Sequence, residues 1–134
     1  MIVVDTNLIA YLFVNGEHSE SAENVFLKDS RWAAPLLWRS ELRSVLVKCV
    51  RAGYVELNDA FRIMSEAESL MSGGEYAVTS GDVLGLTASS ASSVYDAEFV
   101  ALARELGVPL ITTDKLLLES FPDTAASPSR FLGD

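Results

Sequence analysis

Apolar residues fall along this chain in two rhythms, short unbroken runs and longer stretches that return an apolar side chain every three or four positions. Runs bounded by polar or turn residues predict strands buried on both faces, whereas the 3.6-residue period predicts helices with one covered side. Strands are expected at residues 2–5, 31–34 and 108–112, with a strand-like segment at 75–79. After the first strand, Thr6-Asn7 can cap a helix carrying Leu8, Ile9, Leu12 and Phe13, which Asn15-Gly16 stops. A second helix at 19–28 turns Ala22, Val25 and Phe26 inward, and Pro35 ends the strand that follows. The third helix, 37–51, places Trp38, Leu42, Val45, Leu46 and Cys49 on one stripe before Gly53 terminates it. Asn58 is the expected cap of a fourth, whose Ala60, Ile63, Met64, Ala67 and Met71 keep the period until Ser72-Gly73-Gly74 breaks it.

Farther along, Ser80 and Asp82 open a short helix through Ala88, and the serine-rich run 89–93 reads as a connector. Ser93 then caps a helix that buries Phe99, Leu102, Ala103 and Leu106, with Asp96 at capping-box spacing and Gly107 just past the end. A short helix at 115–120 and a loosely patterned tail from Pro122 to Phe131-Leu132 complete the chain. Strands alternating with helices imply an α/β fold with a parallel sheet covered on both faces. Ligands of such sheets gather at the carboxyl ends of the strands, and Asp5 and Asp114 fall at that edge.

The 134 residues, 49% of them hydrophobic, suit a single domain over residues 1–134 that needs no staples. The sole cysteine, Cys49, cannot form an internal disulfide and reads as a small buried apolar residue of a reducing compartment. No basic leader precedes the first apolar run, and no run approaches the roughly 18 residues that span a bilayer, so a cytoplasmic protein is expected. Ten basic residues against nineteen acidic ones give a net charge of −9, which argues against a simple nucleic-acid-binding module. It does not exclude a nuclease, because clustered carboxylates are what a divalent site requires and bound metal reverses the field that a phosphate meets.

Four acids stand out. Asp5 and Asp114 follow buried strands, Asp96 lies at a helix start, and Glu41 lies at the border of an apolar stripe between Leu37 and Val45. Each also has a plain structural account: Asp5 and Asp114 as helix caps, Asp96 as a dipole partner, Glu41 as a rim residue paired with Lys48. Taken together, four oxygen donors without histidine or cysteine suit Mg2+ or Mn2+ rather than zinc, and the natural reaction is phosphodiester hydrolysis by a metal-activated water. His18, beside Glu17 and Glu20, reads as an exposed residue at a helix start. Neither a Gly-x-Ser-x-Gly nucleophile turn nor a glycine-rich phosphate loop is present. Arg39 and Arg43 share a helix face away from Glu41, while Lys48 and Lys115 fall nearer the acids.

At these residues the chain resembles a PIN domain, and in particular the VapC-type ribonuclease toxins of prokaryotic toxin–antitoxin pairs. The resemblance rests on Val3-Val4-Asp5-Thr6-Asn7, on Glu41 in its helix, on Tyr95-Asp96-Ala97 with Ala101-Leu102-Ala103, and on Leu110-Ile111-Thr112-Thr113-Asp114. It implies a three-layer α/β/α sandwich and a divalent-metal endoribonuclease acting on RNA. It also implies a homodimer and a cognate antitoxin whose tail enters the acidic groove. Asp5, Glu41, Asp96 and Asp114 would then bind metal, with Thr6, Asn7 and Thr112 orienting water, metal or phosphate. Some relatives place a further acid shortly after the fourth, and here Lys115 to Leu118 supply none, with Glu119 offset. Two other readings share the residues: an interaction scaffold with little catalysis, and a PIN nuclease of RNA or DNA processing outside any toxin–antitoxin pair.

Overall fold

In the computed structural model, which describes residues 1–134, thirteen elements follow one another. They are β1 (Ile2–Val4), α1 (Thr6–Phe13), α2 (Ser19–Lys28), β2 (Trp32–Pro35), α3 (Trp38–Arg51), α4 (Leu57–Leu70), β3 (Glu75–Tyr76), α5 (Ser80–Ala88), α6 (Val94–Leu106), β4 (Leu110–Ile111), α7 (Lys115–Ser120), β5 (Ala125–Ala126) and α8 (Pro128–Leu132). The five strands are parallel, in the order β3-β2-β1-β4-β5. β1 is central, with Val3 opposite both Ala33 of β2 and Leu110 of β4. Its three residues are fully buried, as the unbroken apolar run requires.

Parallel strands joined by right-handed crossovers put successive helices on one face while the chain moves one way along the sheet, and on the other when it reverses. The chain moves outward from β1 through β2 to β3, then returns past β1 to β4. α6 accordingly packs on β1, β2 and β4 with α5 against it, while α1 packs on α2 and α3, α3 on α4, and α2 on α8. This is the three-layer α/β/α arrangement. A core of 27 buried residues runs through it, centred on the β1, β2 and β4 side chains with Trp38, Leu42, Phe99 and Leu102 from the helices. The reversal of strand order lies between β1 and β4, which is where ligands collect in open α/β sheets.

Several expectations are corrected. The helix after Gly53 begins at Leu57 with Glu56 as its extended N-cap, so Asn58 lies inside the first turn and is not the cap. The first helix is capped by Asp5, with Thr6 already helical. The segments expected as strands at 75–79 and 108–112 contribute two paired residues each, because only Glu75–Tyr76 and Leu110–Ile111 meet a neighbour in register. Cys49 is half-buried, in a last turn of α3 whose Val47 and Lys48 are exposed and whose Val50 is half-buried as well. The tail is structured: Leu110 N–H donates to Thr124 O at 2.9 Å and Thr112 N–H to Ala126 O at 3.0 Å, which makes Ala125–Ala126 a strand. Ser127 then caps α8, and Lys28 of α2 holds that helix by its hydrogen bond to Phe131 O and by its ammonium 4.6 Å from the Phe131 ring. No helix is long and apolar enough to cross a membrane.

Beside the sheet, Arg39 donates two bonds to Glu75, of 2.6 and 2.8 Å, and one of 2.8 Å to Glu68. Trp38 Nε1 also donates to Glu75, at 2.9 Å, so one cluster ties α3 to α4 and β3. Gly107 closes α6 at φ 67°, with Val108 N–H reaching back to Ala103 O in the Schellman pattern.

Gly74 is fixed by space. A Cβ there would stand 2.1 Å from Trp32 O, while the Gly74 carbonyl accepts from Ala34 N–H at 2.9 Å. Gly74→Ala must therefore push β3 from β2 and is expected to cost about 2 kcal/mol or more, in the range of overpacked sites. A urea titration reads this as a lowered midpoint at unchanged slope, and an unchanged midpoint contradicts the close approach.

Candidate active site

Asp5 leaves the carboxyl end of β1 as the N-cap of α1, with Oδ1 accepting from Leu8 N–H at 2.9 Å. Its Oδ2 accepts from the Thr112 hydroxyl, which in turn accepts from Asp114 N–H at 3.0 Å. Thr112 is fully buried at the end of β4, so one hydroxyl locks together the two strand ends that flank the switch point. Asp114 caps α7 through Oδ1, bonded to Leu117 N–H at 3.1 Å. Each carboxylate thus uses an oxygen for its cap and keeps acceptor capacity for the cleft.

Glu41 reaches the same place from α3. The Thr6 hydroxyl donates to its Oε1 at 2.7 Å, which orients it across from Asp5; Lys48 is not its partner. Asp96 arrives from the first turn of α6, whose cap is Ser93 bonded to Asp96 N–H at 3.1 Å. The return bond of a capping box, from Ser93 N–H to the Asp96 carboxylate, is absent.

All four acids line one cleft of about 230 Å³, together with Thr6, Asn7, Ser44, Val45, Lys48, Phe99 and Leu117. Thr112 lies beneath it and acts through Asp5 and Asp114. Asn7 is exposed at its mouth. Ser44 was not anticipated, although its position one turn from Glu41 on α3 puts it on the same stripe. Glu98 was also missed: it lines the neighbouring hollow with Leu36, Tyr76 and Val94, close enough that its charge raises the pKa of Glu41. Its apolar surroundings come from β3 and α5, remote in sequence. His18, expected to be exposed, is exposed and stacks on Tyr11 with ring centroids 4.6 Å apart.

The electrostatics are unbalanced. None of the four acids forms an ion pair within 4.0 Å. Burial raises the pKa of Asp5 from 3.8 to about 6, against the bonds from Thr112 and Leu8, and the charges of Asp114 and Asp96 push it the same way. Burial raises Glu41, with the Thr6 bond opposing and Asp96 and Glu98 adding. Asp96 is raised by burial and by Asp114, with Ser93 opposing. No three of these carboxylates stand close enough together to hold a metal ion among them. An all-oxygen donor set, with Asp5, Glu41 and Asp96 desolvated and none of the four acids ion-paired, has the chemistry that a hard divalent cation takes, and a cation that keeps several of its waters needs few direct ligands.

A family model for the PIN domain matches residues 2–120. The chain belongs to the PIN domain family. Ribonuclease VapC3 of Pyrobaculum aerophilum is 32% identical to it over 124 residues, 90% of this chain and 95% of that one. Among solved structures, a Pyrobaculum aerophilum protein superposes with a TM-score of 0.77 at 21% identity, covering 98% of this PIN domain and 92% of its own chain. A toxin–antitoxin complex from Klebsiella pneumoniae gives 0.68 at 17% identity, covering 96% and 98%. At these identities the structural matches establish the shared fold.

The raised acids set the pH dependence of the metal-free PIN domain. A carboxyl with a folded pKa above its unfolded value binds its proton more tightly when folded, so its ionisation costs stability as pH rises from about 4 through about 6. For Asp5 the cost by pH 7 is about 3 kcal/mol, and Glu41, Asp96 and Glu98 act in the same direction. Glu75 and Asp29, lowered chiefly by Arg39 and by the chain's amino terminus, contribute stability that is lost only below their ordinary range. In chelator the melting temperature is therefore expected to be higher at pH 5 than at pH 7, and Asp5→Asn should remove most of the difference. A melting temperature that climbs steadily from pH 5 to pH 7 in the wild type contradicts the site.

Proposed function

We propose that this PIN domain is a divalent-metal-dependent endoribonuclease and the toxin of a toxin–antitoxin pair. The observation that carries the reading is the convergence of four uncompensated carboxylates at the switch point of the sheet. The name of its relative, Ribonuclease VapC3, supports RNA as substrate, and the toxin–antitoxin complex with the same fold supports an inhibitory protein partner. Asp5, Glu41, Asp96 and Asp114 would hold Mg2+ or Mn2+. Once bound, such an ion lowers the pKa of a coordinated water and offsets the negative charge that a phosphodiester brings. Thr6 positions Glu41, Thr112 positions Asp5, and Asn7 offers its amide at the mouth of the cleft. A cytoplasmic homodimer is the assembly this reading carries with it.

Hydrolysis is expected to fall by at least about a hundredfold in Asp96→Asn and in Asp114→Asn, because each loses a ligand charge. The fold should persist, since Asn can still cap α7 at position 114 and the Asp96 side chain caps nothing. Purified variants, matched to the wild type by circular dichroism and assayed on RNA with Mg2+ or Mn2+, test this. Wild-type turnover by either variant defeats the assignment. Parallel digestion of RNA and single-stranded DNA distinguishes an RNA toxin from a processing nuclease that shares the site.

The partner reading has its own support in an apolar groove of about 300 Å³ between α3 and α4, lined by Leu46, Val47, Val50, Leu57, Phe61 and Met64. Phe61 and Leu57 are 63% and 55% exposed, and Arg43 and Arg51, both free of ion pairs, stand at the groove. These features suit an apolar antitoxin segment flanked by acidic residues. Phe61→Glu should weaken antitoxin binding by tenfold or more in calorimetric titration, and unchanged affinity removes this surface from the interaction.

A further inference from the structure

Of the ten lysines and arginines in the chain, one lines the four-acid cleft. Lys48 lies on the stripe of α3 that carries Glu41, Ser44 and Val45, at i, i+3, i+4 and i+7. It is exposed, and its ammonium makes no ion pair with any acid around it. The other cations near α3 are occupied elsewhere or turned away. Arg39 is bound to Glu75 and Glu68, Arg43 and Arg51 stand at the apolar groove, and Lys115 does not reach the lining of the cleft.

A cation in the last turn of a helix has an ordinary explanation, the favourable interaction with the helix dipole. Arg51 already meets that condition from the same turn. The dipole does not account for a cation that faces a cluster of acids and pairs with none of them. Nor is Lys48 placed to stand in for a bound metal. Its backbone stands seven positions from that of Glu41, roughly 10 Å along the helix axis, and no acid lies within 4.0 Å of its ammonium. Within this cleft it is the one attractive charge that an anionic polymer meets.

We propose that Lys48 contacts a substrate phosphate, as the residue that draws the RNA backbone across the acid cleft. The inference deepens the nuclease reading and rests on it for the identity of the polymer. Lys48 supplies one charge-assisted hydrogen bond to a nonbridging phosphate oxygen, and Ser44, one turn back on the same stripe, presents a neutral hydroxyl beside the acids. Because Lys48 lies beyond the oxygen-donor set, its removal weakens the polymer's hold and leaves the acids' affinity for metal in place.

The test measures binding of a short single-stranded RNA of mixed sequence in Ca2+, by fluorescence anisotropy over a series of salt concentrations. The wild type, Lys48→Gln and Lys48→Arg are compared. One phosphate contact to a single strand contributes about 0.7 to the slope of log affinity against log salt. Lys48→Gln should lose about 0.7 of slope and roughly tenfold in affinity at low salt, while Lys48→Arg keeps the slope. In cleavage assays the Lys48→Gln loss should appear in KM far more than in kcat, and the Mg2+-induced rise in melting temperature should match the wild type. Equal slopes in wild type and Lys48→Gln overturn the proposal, including the case in which neither binds RNA. A dipole role alone would lower the melting temperature of Lys48→Gln and leave the slope untouched, and that result also overturns it. Absence of metal-dependent cleavage by the wild type defeats the nuclease reading instead, and the slope comparison does not depend on cleavage.

Discussion

The hydroxyl of Thr112 joins the two halves of this molecule at their most sensitive point. It donates to Asp5 beyond β1 and accepts from the backbone of Asp114 beyond β4, at the place where the strand order reverses. Without that bond, Asp5 would be a buried carboxylate with only its helix cap to stabilise the charge, and burial already carries its pKa to about 6. The fold thus concentrates unfavourable electrostatics at one edge and secures them with a rigid sheet. The surrounding residues, Ile2 to Val4 and Leu110 to Ile111, are among the most deeply buried in the chain. Their packing supplies the stability against which the acid cluster is held.

Helix capping and a place in the acid cleft, which compete when the sequence is read alone, are combined in the structure. Asp5 and Asp114 each commit one oxygen to the first turn of a helix, which fixes the side-chain rotamer and aims the carboxylate. A helix start also presents its positive dipole end to these anions, so α1 and α7 partly offset the repulsion between them. Glu41, in the first turn of α3, is held by a different device, a hydroxyl from the neighbouring helix α1. Asp96 has its backbone capped by Ser93 and its carboxylate left to the cleft. Three local solutions therefore serve one spatial result.

How much of this was legible follows from which signals are local. The helices α1 to α4 and α6 carry strong 3.6-residue patterns, and β1 is an unbroken apolar run, so their existence and order could be read directly. Glu41 was legible because an acid at the edge of an apolar stripe violates the pattern. β5 was not: Ala125 and Ala126 have no strand preference of their own, and only their bonds to β4 make them a strand. The start of α4 was misplaced for a related reason. Asn58 is the better cap by type, yet Glu56 holds the extended conformation there without a side-chain bond. Arg39 and Glu75 are 36 residues apart, and nothing in either neighbourhood announces their clamp. Glu98 was silent in the same way, since most of the residues around it, Val94 of its own helix apart, come from other elements.

The overall charge of −9 poses a physical problem for any protein whose proposed substrate is a polyanion. Long-range attraction cannot guide RNA to such a surface, because beyond about 8 Å at physiological ionic strength only a faint net repulsion remains. Recognition must then be decided within contact distance, where the sign of individual groups matters more than the sum. There the cleft is built of two kinds of group: four carboxylates, which suit a cation, and one unpaired ammonium on the α3 stripe, which suits a phosphate. A hard divalent ion among the carboxylates would turn the strongest negative region of the protein into a local positive one. Under the proposed function, the acidity that seems to exclude nucleic acid would be the means of gathering the charge that admits it.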